Sequence, residues 1–339
     1  MSDFDYELPA GAIAQAPAEA RDGARLLVIR RADGALVDRR VLDLPEVLRA
    51  GDCLVVNDSR VIPARVLTAD ASGRPVELLF LEAVTPTRWR ALARPGRRCR
   101  PGTVLTVGSA RLRVVDSDGD GARVVQREDG TIDELLAAHG LPPLPPYIAR
   151  HAKPLSEDWE RYQTVYARRP GSVAAPTAGL HFSDALLARL RERGVEIHAL
   201  TLHVGPATFR PIRAERVEAH VLPPERAEVP PTTAAAVTAA RAQGRRVVAV
   251  GTTVTRTLES AAGDGGGVVP LDGVASVFIR PGHRFRVVDA LLTNFHLPRS
   301  SLLVLVSAFA GRELILKAYR HALAAGYRFY SYGDATLIL

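Results

Sequence analysis

Cysteine is nearly missing from this sequence. Only Cys53, in an expected strand, and Cys99, in an arginine-rich turn, are present, which excludes a disulfide framework and a cysteine-based zinc site. No pair of histidines or carboxylates has helical i, i+4 spacing with a third ligand in reach, so no metal is expected. Runs of about eighteen apolar residues are also absent, which excludes a helical membrane span. The opening segment MSDFDYELPA is acidic and lacks the basic-then-apolar pattern of a secretory leader, which points to the cytoplasm. There is no GxSxG elbow and no phosphate-binding P-loop. The glycine run GDGGG at 263–267 follows a helix and opens none, so it reads as a flexible connection.

What is present is an ordinary globular composition with a basic balance. The 339 residues are 47% hydrophobic and 24% charged, enough for one large domain or two smaller ones with real cores. Lys and Arg number 44 against 37 Asp and Glu, a net charge of +7 carried almost wholly by arginine. That charge is compatible with a polyanionic partner such as RNA.

The rhythm of the chain divides it. ARLLVIRRADGALVDRR reads as a hairpin, followed by a short helix near 44–49 and a strand at 53–56. From about Val66 to Arg150, short alternating runs between glycine and proline turns have the spacing of a small all-β barrel or sandwich, and LPPLPPYI closes that stretch as a stiff linker. After residue 150 strands alternate with helices, including a long apolar helix at about 301–325 and a final strand in YRFYSYGDATLIL. The expected fold is therefore α/β: a discontinuous domain of residues 1–65 and 151–339 with a mainly parallel sheet, interrupted by a β-barrel at 66–150. Ser183 is an expected N-cap, with Leu186, Leu187 and Leu190 on one helical face and Gly194 ending the helix.

In open α/β sheets ligands bind beyond the carboxyl ends of the strands. Five loops meet that description: 176–183, HVGPATF at 203–209, GTTVTR at 251–256, TNFHLPRSS at 293–301, and VVNDSRVIPAR at 55–65. Each polar residue in them also has a plainer reading. His181 can bond a loop carbonyl, Thr252 and Thr253 can be N-caps, and Asp58 with Arg60 can be a surface pair. Five such loops at one end of one sheet favour a shared pocket.

The residues also carry a specific likeness. SVAAPTAGLHFSDALLARL, TLHVGPATFRPI, VVAVGTTVTRTLES and LLTNFHLPRSSLLVLVSAFAGRELILKAYRHAL, with GDCLVVNDSRVIPARV and ALARPGRRCRPG, resemble the S-adenosylmethionine:tRNA ribosyltransferase-isomerase family of queuosine biosynthesis, in order over nearly the whole chain. The resemblance implies an α/β domain interrupted by a β-barrel. It implies S-adenosylmethionine used as a ribosyl donor, with the aminomethyl group of a 7-deazaguanine at the tRNA wobble position as acceptor. Epoxyqueuosine forms, and adenine and methionine leave. A monomer or weak homo-oligomer, with no metal, is expected.

On that resemblance, roles follow for the loop residues. His181 or His203 is the expected proton acceptor, and Asp58 the partner of a cationic amine. Thr177, Gly179, Gly205, Thr252, Thr253 and Arg256 are expected around S-adenosylmethionine. Asn57, Arg60, Arg65, Tyr166, His220, Glu225, Asn294 and His296 are expected to meet the acceptor or its RNA. Several positions depart from the family pattern. HVLPPE at 220–225 has Pro223 where a second histidine is usual, Ala207 stands for a glycine, residues 274–276 are VAS for Trp-Thr-Asp, and Thr336 stands for a methionine. These departures leave two other readings open: a diverged enzyme acting on a small amine, and an inactive RNA-binding relative.

Overall fold

Strands apolar on both faces need a layer on each side, and this chain builds two cores at once. In β1 (Arg25–Ile29), Leu27 and Ile29 enter one cluster while Leu26 and Val28 enter another. In β3 (Cys53–Asn57), Cys53 and Val55 divide from Leu54 and Val56 in the same way. The computed structural model describes residues 2–118, 121–150, 153–205, 212, 214 and 216–339. Within it the chain separates into two compact units, one of residues 1–60, 163–169 and 175–339, the other of residues 61–162 and 170–174.

The first unit holds a nine-stranded sheet. Its remaining strands are β2 (Leu36–Arg40), β4 (Glu196–Leu202), β5 (Glu225–Val229), β6 (Val247–Val250), β7 (Leu271–Ala275), β8 (Ala290–Asn294) and β9 (Ala335–Ile338). The spatial order is β7-β5-β4-β3-β6-β8-β9-β1-β2. The central neighbours β4, β3, β6 and β8 are parallel, and so are β9 and β1. The remaining pairings, at both edges and between β8 and β9, are antiparallel, so the sheet is mixed rather than uniformly parallel.

Helices cover both faces. The helix α1 (Leu44–Val47) and α2 (Asp184–Glu192) lie on one side, where Leu186, Leu187 and Leu190 join Phe182 in the core with Leu26. Ser183 caps α2 through its hydroxyl, which accepts the Leu186 N–H at 3.0 Å, and Gly194 ends the segment at φ +79°. On the other face lie α3 (Pro231–Ala242), α4 (Thr252–Ser260), α5 (Ser301–Ala310) and α6 (Arg312–Ala324), contributing Val237, Leu258, Val304 and Ile315. The expected single helix over 301–325 is two helices, because Gly311 at φ +87° turns the chain between them. The expected carboxy-terminal strand is confined to its last residues, and 327–334 form a turn instead. The glycine run is an ordered turn: the Gly263 N–H donates to the Gly267 carbonyl at 2.9 Å, next to an Ala262–Val268 bridge.

The second unit is a closed six-stranded antiparallel barrel, filled by Leu78, Phe80, Leu112 and Val114. A helix at Ile132–His139 begins on a capping box between Thr131 and Glu134. The proline-rich stretch after it is no bare linker: Pro142, Pro143, Leu144 and Pro145 are buried, and the Leu141 N–H donates to the Arg65 carbonyl at 2.7 Å.

Candidate active site

Because β4, β3, β6 and β8 are parallel, their carboxyl ends share one edge of the sheet. β9 runs antiparallel to β8, with Asn294 opposite Ala335, so the segment that enters β9 arrives at that edge too. A cavity of about 40 Å³ opens there. Thr293 and Asn294 end β8 and His296 follows it; Gly251 joins β6 to α4, whose first residues are Thr252 and Thr253; Val204 follows β4. Residues 175–178, Leu302 of α5 and the pair Tyr330–Ser331 complete the wall.

Asn294 organises the polar side. The Thr177 hydroxyl donates to its Oδ1 at 2.9 Å, and its amide donates to His181 Nε2 at 3.1 Å. An imidazole that accepts at Nε2 carries its proton on Nδ1 and is neutral. Burial, aided by the charge of Arg328, pushes His181 down to about 4. Burial pushes His296 down to about 3, and its Nε2 faces the Thr293 hydroxyl at 3.2 Å. Two uncharged imidazoles therefore stand near the cavity, His296 on its wall and His181 behind Asn294.

The opposite wall is the start of α4. Gly251 adopts φ +93°, no side chain caps the nine-residue helix among the described residues, and Gly251, Thr252 and Thr253 of its first turn line the recess. Such an end favours a carboxylate or phosphate oxygen. The donor set, with hydroxyls, free N–H groups, a carboxamide and an aromatic ring, fits the polar and planar parts of S-adenosylmethionine. A cavity of this size holds about three waters, so a ligand as large as a nucleoside requires the walls to part.

Other expected residues have different occupations. Asn57 is buried, and its side chain ties β3 to β4: Oδ1 accepts the Ser59 and Leu202 N–H groups at 3.0 and 3.1 Å, and Nδ2 donates to the Leu202 carbonyl at 2.9 Å. Arg256 and Glu225 form a buried ion pair with each other. Glu225 also accepts the Gly205 N–H at 2.9 Å, and Arg256 donates to the carbonyls of Val277 and Ala275 at 3.2 and 3.3 Å. These three residues brace the elements around the cavity and do not line it. Gly179 serves close packing: a Cβ there would lie 2.2 Å from the buried Tyr166 phenol oxygen. Arg65 belongs to the barrel unit, where it pairs with Glu77 at 3.0 Å. Arg60 is exposed, and His220 packs edge-on against Phe278 with ring centres 5.3 Å apart.

His203 and Asp58 sit at the ends of β4 and β3. Asp58 accepts the Thr201 hydroxyl at 2.6 Å. Burial and Arg226 lower the His203 imidazole, opposed by Asp58 and Glu228, and its Nδ1 is buried without a hydrogen bond among the described residues. Of the departures, Thr336 is buried with its hydroxyl donating to the Thr293 carbonyl at 3.2 Å, Pro223 is exposed, and Ala207 lies outside the described residues. No group of three potential metal ligands occurs among the described residues, and no described helix is long and apolar enough to cross a membrane.

Tyr330 and Ser331 escape the sequence reading because their stretch looks like the start of a strand. Tyr330 stands at φ +75°, a conformation that bulky residues rarely adopt. The turn around it is over-determined. Gly333 donates to the Tyr330 carbonyl at 3.0 Å and lies so close to Phe329 that a Cβ would meet its carbonyl at 2.6 Å. Asp334 accepts the Arg25 and Arg328 N–H groups at 2.9 and 2.8 Å. The signal available in the sequence was the SYGD tetrapeptide, whose Gly-Asp marks a turn.

Comparison with known proteins places this architecture. The model of the family described as "Queuosine biosynthesis protein" matches residues 1–338. A relative from Anaeromyxobacter dehalogenans, named S-adenosylmethionine:tRNA ribosyltransferase-isomerase, is 54% identical over 100% of this chain and 99% of its own length. A second with the same name, from Symbiobacterium thermophilum, is 51% identical over 100% of this chain and 99% of its own. The crystal structure of an S-adenosylmethionine tRNA ribosyltransferase from Thermotoga maritima covers 99% of this chain and 100% of its own, with 35% identity and a TM-score of 0.57. With a match from end to end, and with the family's most characteristic loops meeting at one edge of the sheet, the chain belongs to the queuosine biosynthesis protein family.

Proposed function

We propose that this protein is an S-adenosylmethionine:tRNA ribosyltransferase-isomerase of queuosine biosynthesis. It moves the ribosyl group of S-adenosylmethionine onto the aminomethyl group of a 7-deazaguanine at the tRNA wobble position and rearranges it. Epoxyqueuosine is formed, adenine and methionine leave, and the reaction takes place in the cytoplasm. The observation that carries this reading is the full-length identity to relatives of that name, 54% in the example above. The cavity supports it, because the loops that converge there are those in which the resemblance is most specific.

When bound, the sulfonium renders the adjacent C5′ protons acidic. The protein's own contribution is to orient, to accept a proton and to exclude water. The free N–H groups at the start of α4, with Thr252 and Thr253, hold the methionine carboxylate. Thr177, fixed by Asn294, presents its hydroxyl to the ribose. His296, neutral and on the wall, addresses a base edge. His203 is the proton acceptor, because its Nδ1 has no hydrogen bond among the described residues whereas His181 Nε2 is held by Asn294. His181 is then a positioning residue for Asn294.

The test is incubation with S-adenosylmethionine and tRNA carrying the aminomethyl-deazaguanine. Free adenine together with a tRNA mass gain is the expected result. Adenine release only with a free small amine, or salt-sensitive tRNA binding without adenine, overturns the reading in favour of one of its two rivals. Within the same assay, His203→Ala should slow adenine release by about 100-fold or more, and a near-normal rate removes its role as base.

A further inference from the structure

The lining of the cavity has a polarity that the reaction does not by itself require. No aspartate or glutamate is among its described lining residues, and the imidazole on its wall is uncharged. Carboxylates on the surrounding elements have partners of their own, and Asp58, at the end of β3, accepts the Thr201 hydroxyl. Glu225 is paired with Arg256, and the Asp334 oxygens accept two backbone N–H groups. The start of α4 makes one end of the recess electropositive. A cation entering this cavity therefore meets no carboxylate among the described lining residues and is repelled from the α4 end. Tyr330, placed on the wall by a backbone at φ +75°, is the one Phe, Tyr or Trp among the described lining residues, and the face of an aromatic ring attracts cations. Strain of this kind persists only where surrounding contacts over-determine it, as the Gly333 and Asp334 hydrogen bonds do here.

We infer that Tyr330 is the sulfonium-recognising residue of the cavity: its ring holds the positively charged sulfur of S-adenosylmethionine by a cation–π contact, in place of a carboxylate. The inference rests on the proposed function for the identity of the ligand. It also has a chemical rationale. A carboxylate against the sulfonium would neutralise the charge that acidifies the C5′ protons, whereas a ring binds the cation while leaving that charge in place.

The experiment compares two ligands that differ in one charge. Binding of S-adenosylmethionine and of its neutral thioether, S-adenosylhomocysteine, is measured by calorimetry on the full-length protein, for wild type, Tyr330→Phe and Tyr330→Leu. Wild type should favour the sulfonium. Tyr330→Leu should lose about 3- to 30-fold in affinity for S-adenosylmethionine while its affinity for the thioether stays within about twofold. Tyr330→Phe, which keeps the ring, should preserve the ratio of the two affinities. Equal losses for both ligands would mean that the ring supplies only shape, and a Phe variant as weak as Leu would mean that the hydroxyl matters; either overturns the inference. If the Leu variant does not fold, the ratio in Tyr330→Phe and Tyr330→Trp decides, because a collapse with a ring still present refutes a ring-borne preference. A wild type that binds both ligands equally refutes this inference and leaves the function intact, whereas a wild type that binds neither counts against the function.

Discussion

Removing the Glu225 carboxylate should destabilise the fold rather than weaken substrate contacts directly. The carboxylate is held by Arg256 on one oxygen and by the Gly205 N–H on the other, with side-chain exposures of 8% for Glu225 and 5% for Arg256. Glu225→Ala leaves a buried guanidinium without its counter-charge and a backbone donor without an acceptor. Breaking a buried pair from one side costs about 3–5 kcal/mol, and the lone N–H is part of that figure. Replacing both partners, as in Glu225→Leu with Arg256→Met, removes the stranded charge and should recover most of the loss. Urea unfolding followed by circular dichroism measures each variant, and the double-mutant cycle isolates the coupling. The single Ala variant should unfold at a urea midpoint lower by about 1 M or more, and the double replacement should lie much nearer wild type. An Ala variant as stable as wild type but with a tenfold higher KM for tRNA would refute the reasoning, because it would mean that the carboxylate meets substrate.

Two further outcomes follow from the same geometry. Burial holds His181 near 4 and His296 near 3 in the folded protein, below the ordinary value near 6.5. The unfolded chain therefore takes up these protons first, and stability present above pH 6.5 is lost as the pH falls toward the folded values. Each histidine should remove about 2 kcal/mol by pH 5, and His181→Asn should lessen the acid sensitivity seen in urea midpoints at pH 7.5 and 5; an unchanged sensitivity would count against it. Separately, a groove of about 510 Å³ is lined by Arg216, Arg280 and Arg312. Arg312 pairs with Glu313 and Asp3, which also lines the groove, and Arg216 with Glu218 at 3.6 Å, while Arg280 makes no ion pair within 4 Å among the described residues and acts on Glu218 from further away. If tRNA phosphates use the groove, Arg280→Ala should lower the slope of log affinity against log salt by about 1, while a slope unchanged from wild type would exclude Arg280 from that interface.

What could be read from the sequence was whatever depends on near neighbours. Ser183 and Gly194 bracket α2 as their positions imply, because capping is settled within a few residues. The barrel's alternation and the parallel centre of the sheet were visible for the same reason. β5 and β7 carry little strand signal in the sequence. They are short, and Arg226, Glu228 and Asp272 put charge at alternate positions, so the apolar signal falls to every second residue. Gly311 lies inside an apolar run that masks it, and its φ of +87° makes it the break between two helices.

The candidate site shows the same boundary more sharply. Polar loops at the ends of parallel strands were legible, because strand–loop–helix alternation fixes which strand ends share an edge. Which polar residue faces a ligand and which holds a neighbour was not, because that depends on partners distant in the chain. Glu225 and Arg256 are 31 positions apart and satisfy each other, and Thr177 reaches Asn294 across 117 positions. Tyr330 lies beyond local inference for a different reason. β9 enters antiparallel beside β8, and that single reversal carries the turn before it to the edge where the parallel strands end. A sequence reading that assumes one strand direction places that turn at the far end of the sheet. The one antiparallel pairing between β8 and β9 is therefore what brings Tyr330 to a cavity whose other described lining is hydroxyls, a carboxamide, an imidazole and small apolar side chains.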